Sequence, residues 1–174
     1  NGDGFTDIVS ANWGSGNISV LLGDGSGNFI SAANYNAGSY PYWVALGDFN
    51  RDNKLDAAVA TSGVASVAIL LGDGLGAFAA PTTYAVASGP NSVAVADLNA
   101  DGKQDIVTAN TGTSNISVLI GNGSGGFASP VNFPVGSDPI YAAVADVSLD
   151  GKQDVLSANR ISNDITLRLG DGSS

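Results

Sequence analysis

The sequence predicts an all-β chain: a β-propeller of four-stranded antiparallel blades, in about three and a half repeats of 49 residues. Three observations lead there. An acidic nine-residue loop recurs in strict register, and a glycine-rich turn recurs with the same step. The segments between them are short, apolar and bounded by Gly and Ser. Self-similarity at a fixed period of this size marks a repeat architecture, and four short strands per repeat fit a propeller blade.

The loop is clearest at Asp97-Leu98-Asn99-Ala100-Asp101-Gly102-Lys103-Gln104-Asp105, and it returns 49 residues to either side, at Asp48–Asp56 and Asp146–Asp154. Short side chains bearing oxygen at positions 1, 3, 5 and 9 of a tight loop converge on one point. Gly at position 6 permits the sharp turn that brings round the backbone carbonyl of position 7. Such a donor set suits a hard cation wanting six to eight oxygens, and Ca²⁺ is the expected cofactor, about three per chain. The expected ligands are Asp48, Asn50, Asp52 and Asp56 with the Lys54 carbonyl, and Asp97, Asn99, Asp101 and Asp105 with that of Lys103. The third set is Asp146, Ser148, Asp150 and Asp154 with the Lys152 carbonyl. Asn1, Asp3 and Asp7 form a fourth copy lacking its first residue, a partial site. Asn53 stands where Gly is usual and tolerates the left-handed conformation. Ser148, neutral and short, predicts weaker binding in its loop. Position 12 is Val59, Thr108 or Ser157, so the bidentate Glu of an EF-hand is missing.

Taken in order, the chain reads as a single repeat array over residues 1–174. Residues 1–47 are a partial blade plus the first strand of the next, 48–96 and 97–145 are full repeats, and 146–174 is a partial repeat. Within the repeat that starts at Asp48, Asp56–Thr61 and Ser66–Leu71 read as strands. The turn Gly72-Asp73-Gly74-Leu75-Gly76 supplies the positive φ angles of a hairpin connection. Phe78–Val86 reads as a third strand, kept to the edge by Pro81. Asn91–Asp97 is the fourth, and its small Val and Ala side chains suit the crowded axis. No stretch has helical periodicity. The glycine turns lead into no helix, so they are hairpin turns rather than phosphate loops.

Composition narrows the function. With 16 Asp, no Glu and six Lys and Arg, the net charge is −10 and there is no basic cluster, so nucleic-acid binding is not expected. Eleven of the 16 Asp fall in the recurring loops, which points to neutralisation by bound cations. The absence of His, Cys and Glu leaves no ordinary general base or nucleophile pair, so no enzyme activity is expected. No apolar run approaches the ~18 residues of a membrane span. The chain begins without Met and inside a motif, and reads as a processed piece or a fragment.

From Val93 to Val107 (V-A-V-A-D-L-N-A-D-G-K-Q-D-I-V) and from Ile116 to Phe127 (I-S-V-L-I-G-N-G-S-G-G-F) the chain resembles the FG-GAP/VCBS repeat family, the calcium-binding blades of integrin α-subunit propellers and many secreted bacterial proteins. The similarity covers essentially the whole chain. It implies one Ca²⁺ in the loop between the first two strands of a blade, and an extracellular or cell-surface module of bacterial type that binds a protein or glycan. Two alternatives stand beside that function: a self-assembling oligomeric element, and the non-catalytic propeller of a secreted enzyme. Candidate ligand-contacting residues are Trp13, Tyr40, Tyr42, Trp43 and Tyr141, exposed aromatics where the repeats diverge, although Trp43 and Tyr141 are expected rather to pack between blades. Since the strands sum to three and a half blades, the partner is either another copy of the chain or the remainder of a longer propeller.

Overall fold

Four antiparallel sheets follow one another along the chain in a computed structural model, which describes residues 1–30 and 32–173. The first sheet has three strands, β1 (Ile8–Asn12), β2 (Asn17–Leu21) and β3 (Ala33–Asn36). The second has four, β4 (Pro41–Gly47), β5 (Asp56–Thr61), β6 (Ser66–Leu70) and β7 (Thr82–Ala85). The third repeats it with β8 (Pro90–Ala96), β9 (Asp105–Asn110), β10 (Asn115–Leu119) and β11 (Val131–Pro134). The last stops at three, β12 (Pro139–Ala145), β13 (Asp154–Asn159) and β14 (Asp164–Arg168). Every sheet is a simple meander, each strand hydrogen-bonded to its sequence neighbour. These are propeller-like blades, numbered 1 to 4 here. Among the described residues blade 1 consists of second, third and fourth strands and blade 4 of first, second and third.

First strands form the inner layer: β4 packs on β8, and β8 on β12. All three carry a bulge after their proline, so Tyr42, Asn91 and Ile140 are skipped in pairing with the second strand. The middle strands carry the core. Every residue of β5 and of β9 is buried, which is why these segments read as continuous apolar runs rather than alternating ones. Blades pack face to face through three clusters. Ile18 and Ala37 of blade 1 meet Ala57, Val59, Ala68 and Leu70 of blade 2. Val67 and Ile69 then meet Val93, Ile106 and Leu119, and Val107 and Ile116 meet Ala142 and Val155. An aromatic clasp closes the outer part of two of these junctions. Tyr35 stands edge-on to Phe78 at 5.6 Å, and Tyr84 stands edge-on to Phe127 at 5.4 Å. Offset and edge-on ring pairs contribute about 0.5–1.5 kcal/mol beyond their buried area.

The outer strand is shorter than the sequence suggests. Phe78–Val86 was expected, and only Thr82–Ala85 pairs continuously, with Phe78 forming an isolated bridge to Gly72. Pro81 has no N–H to donate, which interrupts the ladder between the two. Strand ends otherwise move by one residue: β6 stops at Leu70, and β8 runs from Pro90 to Ala96. One 3-10 turn, Ser62–Val64, is the helical element among the described residues.

Candidate functional site

Each of the three complete acidic loops joins the first strand of a blade to the second, on the rim that also carries the glycine turns. The loops are held by their own side chains. Asp97 accepts the N–H of Asp101 at 3.1 Å and that of Gly102 at 2.8 Å, and Asn99 accepts the former as well, at 3.2 Å. Asp48 and Asn50 do the same in blade 2. Position 6 has φ of 63° at Asn53, 76° at Gly102 and 85° at Gly151, so the asparagine occupies the left-handed conformation expected of it. In blade 4, Asp150 takes the N–H of Lys152, and Asp146 takes those of Asp150 and Gly151. Ser148 instead donates its N–H to Asp154, at 3.1 Å. In blade 1 the terminal ammonium of Asn1 sits 2.7 Å from Asp7, and Asp3 accepts from Asn1 and Phe5.

The ninth position behaves differently from the other carboxylates. Asp105 is fully buried; its Oδ1 accepts the N–H of Gly121 at 2.8 Å and its Oδ2 that of Leu98 at 2.9 Å. Asp56 repeats the pattern with Gly72 and Phe49, and Asp154 with Gly170 and Val147. Asp7 takes the N–H of Gly23. This residue therefore pins the acidic loop to the glycine turn, a link between two motifs that the sequence shows only as separate repeats. The pin explains the first glycine of the turn. A Cβ on Gly72 would lie 2.1 Å from the Leu55 carbonyl oxygen, and on Gly121 2.1 Å from that of Gln104. It also separates Asp from Asn. Asp73 uses only Oδ1 for the N–H groups of Leu75 and Ala77, and Asn122 does the same at the equivalent place. Where both oxygens must accept, all four copies have Asp.

Burial is the main cause that raises Asp105 above the ordinary carboxylate range. The N–H groups of Gly121 and Leu98 oppose it, and the charges of Asp101 and Asp97 reinforce it. Asp56 is raised in the same way, with Asp52 and Asp48 contributing. Three carboxylates in one loop thus feel one another, and the cation near them is the lysine of position 7: Lys103 Nζ lies 2.9 Å from Asp101, Lys54 3.4 Å from Asp52. Among the described residues no three acidic side chains surround a common point as a metal shell would require. The donor types at positions 1, 3 and 5 and the carbonyl of position 7 fit a hard cation, while position 9 has both oxygens engaged by the backbone.

The opposite rim carries the aromatic residues. Trp13, in the β1–β2 turn, stacks on Tyr40, in the loop entering β4, with ring centroids 4.7 Å apart and planes at 20°. Both rings stay about half exposed, at 56 % and 47 %. Tyr42 is exposed on the β4 bulge beside them. Within blade 4 the same rim carries an ion pair, Arg160 Nε to Asp138 Oδ2 at 2.5 Å, in the place where Ser62 meets Tyr40 in blade 2 and Thr111 meets Gly89 in blade 3. Trp43 and Tyr141 do not pack within one blade junction. They meet edge to face at 5.4 Å from blades 2 and 4, while Ser92, the equivalent residue of the intervening β8, is fully buried. A small side chain at Ser92 leaves room for that contact, which no pairwise reading of neighbouring repeats could supply.

A family model described as an FG-GAP-like repeat matches residues 1–59, 48–108 and 97–157, the same 49-residue step as the blades. The chain belongs to the FG-GAP-like repeat family. Its FG-GAP-like repeats resemble solved propeller-containing structures at the level of fold. A lectin of Agrocybe aegerita, described as recognising non-reducing terminal N-acetylglucosamine, is 20 % identical with a TM-score of 0.63. The match covers 99 % of this chain and 47 % of the lectin, so the chain spans less than half the lectin's length. The Tc holotoxin pore of Photorhabdus luminescens is 20 % identical with a TM-score of 0.55, over 95 % of this chain and 8 % of that one. No curated protein matches the sequence significantly. Among the described residues no helix is long and apolar enough to cross a membrane.

Proposed function

We propose that this FG-GAP-like chain is a calcium-stabilised, non-catalytic binding module that presents the rim opposite its acidic loops to an extracellular or cell-surface glycan. The observation that carries this reading is the Trp13–Tyr40 stack, two half-exposed rings held face to face on a loop rim. A flat, rigid aromatic surface offers its face to the C–H groups of a sugar and loses little conformational entropy on binding. The shared fold with a glycan-recognising lectin supports the same class of ligand.

In this reading Ca²⁺ has a structural role. Bound at the loops headed by Asp48, Asp97 and Asp146, it would replace the lysine ammonium as counter-charge and supply charge neutralisation that keeps each loop folded. Sites of extracellular modules have Kd of ~10⁻⁴–10⁻³ M. At about 1 mM Ca²⁺ the tighter end of that range contributes on the order of 1.4 kcal/mol per site.

A glycan array probed with and without Ca²⁺, using the native chain and Trp13→Ala, tests both parts. Binding to a defined set of glycans is expected, lost in Trp13→Ala and weakened in EGTA as the melting temperature falls. Glycan binding that survives Trp13→Ala would refute the placement of the site. A melting curve unchanged by EGTA would refute the calcium role.

A further inference from the structure

One glycine turn differs in chemistry from its copies. The second residue of the turn is Asp24, Asp73 and Asp171 in the other blades and Asn122 in blade 3, each followed by glycine. Asn122 is exposed, although its blade has a neighbour on either side and Gly125 of the same turn donates its N–H to the Phe49 carbonyl of blade 2 at 2.9 Å. The exposure belongs to the turn itself.

Three features of the turn act on the Asn122 carboxamide. Its Oδ1 accepts the N–H of Ser124 at 2.8 Å, a bond that spans Gly123 and folds Cγ back over the Gly123 peptide. The same oxygen accepts the Gly126 N–H at 3.0 Å, so two backbone donors converge on it. Gly123 has no side chain to shield its nitrogen, and among the described residues its N–H has no hydrogen-bond partner.

We propose that Asn122 is a self-modification site, at which the turn converts the side-chain amide to a carboxylate. The Gly123 nitrogen gives up its proton to hydroxide and adds to Cγ, forming a C–N bond. Nδ2 takes a proton from water and leaves as ammonia, so that a cyclic imide remains. Water then opens the ring at either carbonyl, giving an aspartyl or an isoaspartyl residue and one new negative charge. Charge develops on Oδ1 during the addition, and the Ser124 and Gly126 N–H groups already stand at the distance an oxyanion requires.

The fold also accommodates the aspartyl product. In blade 2 Asp73 holds the equivalent two N–H groups, from Leu75 and Ala77. The stems of Lys103 and Arg51 cover Gly123, their Cδ atoms 3.0 and 3.1 Å from where a Cβ would stand, so the new carboxylate arises beside two basic residues. Lys54 and Lys152 cover Gly74 and Gly172 in the same way, beside Asp73 and Asp171, and stand 3.4 and 3.9 Å from their loop carboxylates. Lys103, beside the neutral Asn122, is drawn closer to Asp101, at 2.9 Å.

The folded chain, incubated at mildly alkaline pH and body temperature, is sampled by isoelectric focusing and by peptide mapping with mass spectrometry. A shift of one negative charge is expected, with the mass gain of an amide-to-acid conversion confined at first to the peptide holding Asn122. Its rate should at least equal that of a synthetic peptide copying residues 119–127, incubated alongside. Asn122→Asp should show no such shift and keep the native melting temperature; a lowered one would refute the accommodation of the product. An amide that persists in the folded chain while the peptide converts would overturn the proposal, because the turn would then protect Asn122. Equally fast conversion of the other internal asparagines would overturn it as well.

Discussion

Replacing Asp105 with Asn changes one atom and tests whether the ninth loop position acts as a pin between two turns. Asp105 is fully buried and accepts two backbone N–H groups, one on each oxygen. Asparagine has one acceptor oxygen, so either Leu98 or Gly121 would point its N–H at an amide NH₂. A hydrogen bond to a charged group is worth about 1.5–3 kcal/mol, and a buried donor left unsatisfied costs about 1–3 kcal/mol. Removing a carboxylate disfavoured by burial and by the Asp101 and Asp97 charges offsets part of that loss. A net cost of about 2–3 kcal/mol is expected, or a fall of roughly 4–12 °C in melting temperature for a domain of this size. The control is Asp73→Asn, where one oxygen does the work and Asn122 already fills the equivalent place; a change below about 0.5 kcal/mol is expected. Urea unfolding in EGTA, followed by circular dichroism, removes any metal contribution from the comparison. Equal midpoint shifts for the two variants would refute the pin.

Gly72→Ala would place a Cβ 2.1 Å from the Leu55 carbonyl, whereas Gly102→Ala meets nothing within 4 Å and carries only the strain of φ 76°. Urea midpoints should therefore fall further for the first than for the second, whose cost is about 1–2 kcal/mol. In Ca²⁺-saturated buffer Asp101→Ala should lower the melting temperature more than Ser148→Ala, since Asp101 is a charged donor and Ser148 a neutral one that lacks the Asn99-type bond to position 5; equal shifts would contradict the ligand assignment. The gap between melting temperatures in Ca²⁺ and in EGTA should narrow as pH falls toward the range where carboxylates take up protons. Burial raises Asp56 and Asp105, so the folded chain takes up their protons more readily than the unfolded one, and each proton removes negative charge from a loop that attracts the cation. The metal-free fold should survive that range. The Ser26 N–H, with the Ser26 and Asn28 side chains, holds Asp24 down at about 2, so its stabilisation is complete above the unfolded value and is lost progressively as pH falls from there through about 2. A constant gap as pH falls, read by scanning calorimetry, would count against the acidic loops as the cation sites.

Periodicity by itself determined the blades, because a repeat that buries its faces against its neighbours must restate the same pattern each time. The 49-residue step placed β5 at Asp56–Thr61 without error, and the counting of three, four, four and three strands follows from where that step meets the ends of the sequence. Local turn chemistry was equally legible: Asn53 takes the left-handed turn its short amide tolerates. Contacts between residues far apart in sequence were not. The bond from Asp105 to Gly121 spans two turns that look independent in sequence, and only pairing of β9 with β10 brings them together. The Trp43–Tyr141 contact reaches across a whole blade and depends on a small residue at Ser92 between them. The same holds for Ile165. Its sequence pattern is that of Ile18 and Ile116, yet it is exposed where they are covered by a neighbouring blade, a difference that no local pattern records.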